Sequence, residues 1–332
     1  MTRFLSFVAL ALIAAASVAR ADCRGVNLLE TMPAEERRAL LAAADAVPYP
    51  RGNLWRATRG EEEVLLLGTY HLDDPRHAAV LTRVAPMVEA AAVVLVEAGP
   101  EEEAALMADL KRDPSLMVMT EGPTLREAMP EAEWQMLAEA MRVRGLPPFM
   151  VSKFRPWYVS MLLALPACGM DGATGAGKGG LDGMIIAKAQ ASGVPVRALE
   201  PHDTVFKQFG AMSFEDQLGM ITSALALEPM SEDYAVTLAD AYFDGEARLI
   251  WELTRRMSLQ VPGVPPEKVE ADFAQMEQRL MTDRNTAWIP VIEAAAKEGR
   301  VVAAFGALHL SGETGVLKLL EEAGWTLERV PM

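Results

Sequence analysis

Basic residues are in short supply in this chain. Lys and Arg number 31 against 46 Asp and Glu, a formal charge of −15 over 332 residues. No basic face is on offer to a phosphate backbone, so nucleic acid is excluded as a partner, and the acidity speaks to solubility and to repulsion of anionic surfaces. After the first 21 residues no apolar run is long enough to span a bilayer. No G-x-S-x-G segment occurs, and neither of the two cysteines has a histidine beside it. Covalent catalysis by Ser or Cys is therefore disfavoured. Apart from one short motif, no internal repeat and no low-complexity tract is present.

What is present begins with residues 1–21, a basic start, an apolar centre and Ala19-Arg20-Ala21 at the end. This three-part pattern predicts a cleaved secretory signal and a single mature domain over 22–332, periplasmic or secreted. A membrane anchor needs roughly 20 apolar residues, and Arg20 interrupts too early. Asp22 ahead of Cys23 speaks against a lipoprotein. In an oxidising compartment Cys23 and Cys168 form an even pair that either closes as a disulfide or stays as two buried thiols.

The one repeated motif is strand-G-x-x-H. Val64 to His71 reads V-L-L-L-G-T-Y-H, and Val301 to His309 reads V-V-A-A-F-G-A-L-H. Strands apolar at nearly every position are covered on both faces, the habit of parallel sheets in α/β domains, whose ligand sites lie at the carboxyl ends of the strands. Leu54–Thr58 and the turn at Gly60 predict a hairpin into the first copy. Val93–Val96 ends at Glu97, Val194–Leu199 ends at Glu200, and a last strand covers Thr326–Val330. The expected fold is α/β, a central mixed, largely parallel sheet, with helical insertions at about 101–165 and 214–297 covering it. Residues 172–179, G-A-T-G-A-G-K-G, nearly spell a phosphate-binding loop. Gly179 stands where that motif needs Ser or Thr, and no strand precedes it, so a flexible loop beside a site is the better reading.

Four strands thus deliver His71, Glu97, Glu200 and His309 to their carboxyl ends. Two imidazoles with carboxylates suit zinc, manganese, cobalt or iron and leave room for an activated water. Glu97 is expected as a ligand, because a single crossover would place its strand next to the first G-x-x-H strand. Glu200 is then the expected general base, or a partner orienting a histidine. Of the remaining histidines, His77 reads as a surface residue of a helix and His202 as a supporting group at most.

The paired motifs Gly68–His71 and Gly306–His309, the latter running on as G-A-L-H-L-S-G-E-T-G-V-L-K-L-L-E-E-A-G, resemble the TraB/GumN family. C-R-G-V-N-L-L from Cys23, Glu97, Gly180-Leu181-Asp182, Leu199-Glu200 and D-R-N-T-A-W at Asp283–Trp288 extend the likeness over nearly the whole mature chain. That family includes the Tiki proteins, metal-dependent proteases that act on Wnt proteins, and is similar to the erythromycin esterase and ChaN-like fold. The resemblance implies a helix-wrapped mixed sheet and a manganese- or cobalt-type site, with Zn added by the donor chemistry of the residues themselves. His71 and His309 are implied as ligands and Glu97 as ligand or general base, with Arg284 and Asn285 facing the cleft as substrate or oxyanion partners. The expected function is an exported metal-dependent hydrolase, a peptidase acting on a peptide or protein substrate. Its rival is a non-enzymatic periplasmic binding or polysaccharide-export accessory protein.

Overall fold

The computed structural model describes residues 23–169, 180–261 and 263–332. The signal pattern at 1–21 and the glycine-rich stretch at 172–179 lie outside the described residues. Six strands form one mixed sheet, β1 (Leu54–Arg59), β2 (Glu62–Thr69), β3 (Val93–Val96), β4 (Val196–Ala198), β5 (Val301–Gly306) and β6 (Thr326–Arg329), in the order β4-β3-β5-β2-β1-β6. Strands β4, β3, β5 and β2 run parallel. β1 folds back on β2 as the expected hairpin, and β6 pairs antiparallel with β1 at the edge.

The apolar strands are continuous because both of their faces are covered. Val64, Leu66, Ala303 and Phe305 pack on one side with Trp288 and Ile292 of the Asp283–Ala296 helix and with Val316, Leu317 and Leu320 of the Val316–Glu322 helix. Leu65, Leu67, Val302 and Ala304 pack on the other with Val80, Val84 and Val88 of the His77–Glu89 helix and with Leu181, Ile185 and Ala189 of the Gly180–Ala191 helix. Two further helices form a core of their own, where Leu40 of Ala34–Asp45 packs with Ile250 and Leu253 of Ala247–Leu259.

Three features depart from the sequence reading. β3 is not the neighbour of β2; β5 lies between them, so the strand carrying the second G-x-x-H is hydrogen-bonded to both. Of the two helical insertions that surround the sheet, the first also builds a core of its own. Leu125, Trp134, Leu137, Met141, Val159 and Leu163 build a separate core with Ile221 and Leu225, to which no strand contributes. The second insertion is divided, since its early helix joins that satellite core while Asp283–Ala296 lies on the sheet. His77 is not a surface residue. It is buried, its Nε2–H donates to the Leu72 carbonyl at 2.9 Å, and Tyr70, Tyr242 and Phe243 surround the ring.

Cys23 and Cys168 are joined as a disulfide across 145 residues of sequence, tying the first described residue to the end of the satellite unit. Among the described residues no helix is long and apolar enough to cross a membrane. By loop entropy a bridge closing so long a loop stabilises the fold by on the order of 4 kcal/mol. A C23S/C168S variant is therefore expected to unfold at lower denaturant, with a loss of that order, and thiol labelling of the unfolded, unreduced wild type should find no free thiol. Two labelled thiols would contradict the bridge.

Candidate functional site

Register decides where the two motifs meet. Gly68 pairs with Phe305 and Thr69 with Gly306, so both strands end at the same edge of the sheet and both histidines emerge there. Both glycines serve close approach. A Cβ on Gly68 would run into Ala307 and Leu310, and one on Gly306 would lie 3.0 Å from His71 Nε2 and 3.3 Å from Glu97 Oε1. A side chain at Gly306 would thus stand between the groups that the site gathers.

Each imidazole is held by its Nδ1. His71 Nδ1–H donates to Asp182 Oδ2 at 2.8 Å, and Thr69 Oγ1 donates to the other carboxylate oxygen at 2.7 Å. His309 Nδ1–H donates to Asn285 Oδ1 at 2.6 Å, and the Asn285 amide is fixed in turn by the Thr314 carbonyl at 2.8 Å. In the neutral ring this leaves Nε2 as the acceptor, the arrangement by which outer partners orient metal-binding histidines. The two Nε2 atoms flank one oxygen, Glu97 Oε1, His71 Nε2 at 4.0 Å and His309 Nε2 at 3.9 Å. That oxygen also accepts the Gly306 N–H at 2.7 Å.

Arg284 connects the second glutamate to this centre. Its Nε and Nη2 grip Glu200 at 2.8 and 2.7 Å, and Nη2 also reaches Glu97 Oε2 at 2.5 Å. Nη1 points at His309 Nε2, 3.2 Å away, and at the Leu280 carbonyl, 3.4 Å away. Leu280 belongs to the π-helical turn Glu277–Thr282 that leads into the Asp283–Ala296 helix, and such widened turns recur at functional sites. Trp288 Nε1 donates to Glu200 at 3.0 Å, completing that carboxylate's partners.

Electrostatics separate the two histidines. Burial drives the His309 ring to its neutral form, and Arg284 and His71 add to that effect against the attraction of Glu97, bringing its pKa down to about 3. The His71 side chain is far more open, 61% exposed, although the neighbouring protein still withdraws part of the ring's hydration. Burial there opposes the charge, but the bond and charge of Asp182, with Glu97 behind, outweigh it and lift the pKa to about 9. Burial would also raise Glu97; His309, Arg284, His71 and the Gly306 N–H prevail and hold it ionised, near 2.

Glu97, Glu200, Arg284, Asn285 and His309 therefore belong to one hydrogen-bonded network, and His71, bonded to Asp182, stands beside it with Nε2 4.0 Å from Glu97. His202 does not join it and pairs with Asp109 at 2.9 Å. Asp182 received no role from sequence, and its placement depends on Gly180. That residue has φ +53°, and a Cβ there would strike the His71 backbone, so the helix it opens lies directly beneath the histidine. Leu181 N–H donates to the Tyr70 carbonyl at 3.1 Å and locks the two segments together.

Whether these residues suit a divalent ion can be judged on their donors. Two imidazole Nε2 atoms and an ionised carboxylate oxygen are the right chemistry, His309 neutral already and His71 having to give up its Nε2 proton to make way for the ion. Their separations of 3.9 and 4.0 Å exceed the roughly 3.4 Å between donors bonded tetrahedrally at about 2.1 Å. In keeping with this, among the described residues no three His, Cys, Asp or Glu side chains are already gathered to hold a metal. Each nitrogen would have to come about half an ångström closer to Glu97 Oε1 to bond one ion with it. The sequence model of the TraB/PrgY/gumN family matches residues 53–329, from just before β1 to the end of β6. No curated protein matches the chain.

A folded-state pKa of about 9 for His71, against about 6.5 in an unfolded chain, means that its native contacts favour the charged ring. The stability it contributes is fully present below about pH 6.5 and is lost as pH rises through about 9. In chelator-treated protein, the His71 ring resonance is expected to titrate near pH 9 and to fall by more than one unit in D182N. A wild-type midpoint near 6.5, unmoved in D182N, would show that the Asp182 contact is not made.

Proposed function

The chain belongs to the TraB/PrgY/gumN family, and we propose that it is a divalent-metal-dependent hydrolase, a peptidase, working outside the cytoplasm in the periplasm or secreted. The observation that carries this reading is the pair of imidazoles whose Nδ1 atoms are bound to Asp182 and Asn285, which turns both Nε2 atoms toward Glu97 Oε1. His71, His309 and Glu97 would hold the ion, which the site chemistry suits for Mn, Co or Zn. When bound, such an ion polarises a carbonyl and lowers the pKa of water.

The rest of the mechanism concerns this chain's own groups. Asp182 and Asn285 set the tautomer and angle of the two rings. Gly306, lacking a side chain, leaves space in front of them. His71 is the most solvent-open member, so substrate approaches from its side. Of the two carboxylates considered as proton acceptor, Glu200 has both oxygens engaged by Arg284 and Trp288. Its role becomes the positioning of Arg284, and only Glu97 turns an oxygen to the imidazoles. Export is supported by the Cys23–Cys168 disulfide, since such bonds persist in oxidising compartments.

The rival reading, a binding protein that needs no ion, is favoured by the Arg284 N–H aimed at His309 Nε2. Ion binding and turnover separate the two. H71A, H309A and E97A are each expected to lower Mn²⁺, Co²⁺ or Zn²⁺ affinity by roughly 100-fold or more and to abolish peptide cleavage with it, while D182N and N285A lose about 10- to 100-fold in affinity. Calorimetry and cleavage of a mixed peptide library provide the measurements. If the three ligand variants bind ion and cleave like the wild type, the metallohydrolase reading fails and the binding-protein reading replaces it.

A further inference from the structure

Arg284 was expected to meet substrate, yet its donors are already committed. A guanidinium has five N–H bonds. Nε donates to Glu200, Nη2 to Glu200 and Glu97, and Nη1 to His309 Nε2 and the Leu280 carbonyl. Nothing is left over for a substrate carbonyl. The group is buried, only 8% of its side chain open, and it lies between two carboxylates that are themselves largely buried. Both place an oxygen on the same nitrogen, Glu97 at 2.5 Å and Glu200 at 2.7 Å. Two ionised carboxylates can share so small a space only around a cation.

The contacts are unequal. Glu200 is gripped by a two-pronged, charge-assisted fork, the strong form of such a bond. The Nη1 contact with neutral His309 is longer, 3.2 Å, and ends on the lone pair that an incoming ion requires. Glu97 is likewise shared, one oxygen on the guanidinium and the other between the imidazoles.

We infer that Arg284 is a built-in counter-cation. It stands in for the divalent ion in the ion-free protein and competes with it for His309 and Glu97, so that it sets the ion affinity instead of binding substrate. This rests on the metal reading above. On ion entry Nη1 gives up His309 while the fork on Glu200 holds the side chain in place. Substitution should then have a sign opposite to that of losing a ligand: binding becomes tighter. A lysine keeps the charge but, as a single ammonium without the planar fork, cannot span Glu200, Glu97 and His309 together.

The test is Mn²⁺ affinity by calorimetry and Mn²⁺-dependent thermal shift for wild type, R284Q and R284K, with H309A as the ligand-loss control. R284Q is expected to be less stable than wild type in chelator and to bind Mn²⁺ at least tenfold more tightly, regaining stability when Mn²⁺ is added. R284K, which retains a charge against Glu200 and covers the case in which R284Q does not fold, is expected to bind severalfold more tightly than wild type. Wild type that binds Mn²⁺ through His309, with Arg284 variants that bind it equally or more weakly, overturns the counter-cation and leaves the metal reading standing. Absence of Mn²⁺ binding in wild type and in both Arg284 variants removes the two together.

Discussion

The parallel pairing of β2 with β5 is the constraint from which the site follows. With Gly68 opposite Phe305 and Thr69 opposite Gly306, the two G-x-x-H segments leave the sheet side by side at its carboxyl edge. Moving one strand by a residue would exchange its faces, turning Leu66 of β2 or Phe305 of β5 away from the core that contains Trp288 and Ile292. The same apolar burial that stabilises the sheet therefore fixes the separation of the histidines. Because β5 is also bonded to β3, Glu97 arrives against the second histidine strand, and its Oε1 receives the Gly306 N–H directly.

Around that framework the charges are arranged in two shells. Glu97, Glu200 and Asp182 bring three carboxylates within bonding distance of Arg284 and His71. With His71 neutral, those three negative charges face the single positive charge of Arg284, and a dication would balance the remainder. Asn285 and Asp182 differ in charge but perform the same task, accepting from an Nδ1–H. The charge of Asp182 helps to make the His71 ring readily charged, whereas burial above all, with Arg284 and His71, keeps His309 neutral.

Much of this was legible in sequence, for physical reasons. Val64–Leu67, Val93–Val96 and Val301–Phe305 are apolar on both faces, so they announced buried parallel strands, and the polar residues closing them stood out as site candidates. Strand order was not legible, since nothing local says whether β3 returns beside β2 or one place further along. Asp182 lies 111 residues from His71 and meets it only because Gly180 lets a helix start against the His71 backbone. His77 carried an overlooked signal. It lies on the stripe of Val80, Val84 and Val88, the buried face of its helix. Arg284 and Asn285 were recognised as site residues through the D-R-N-T-A-W resemblance, but only coordinates reveal that their donors are spent inside the protein.

The central claim is that the two G-x-x-H imidazoles and Glu97 share one divalent ion. Anomalous diffraction from crystals grown with Mn²⁺, recorded at a wavelength where manganese scatters strongly, tests it most directly. The account predicts a single anomalous peak in bonding contact with His71 Nε2, His309 Nε2 and a Glu97 oxygen, with Asp182 and Asn285 still on the Nδ1 atoms. A peak elsewhere on the molecule, with Arg284 still bonded to His309 and the space beside Glu97 empty, would contradict it.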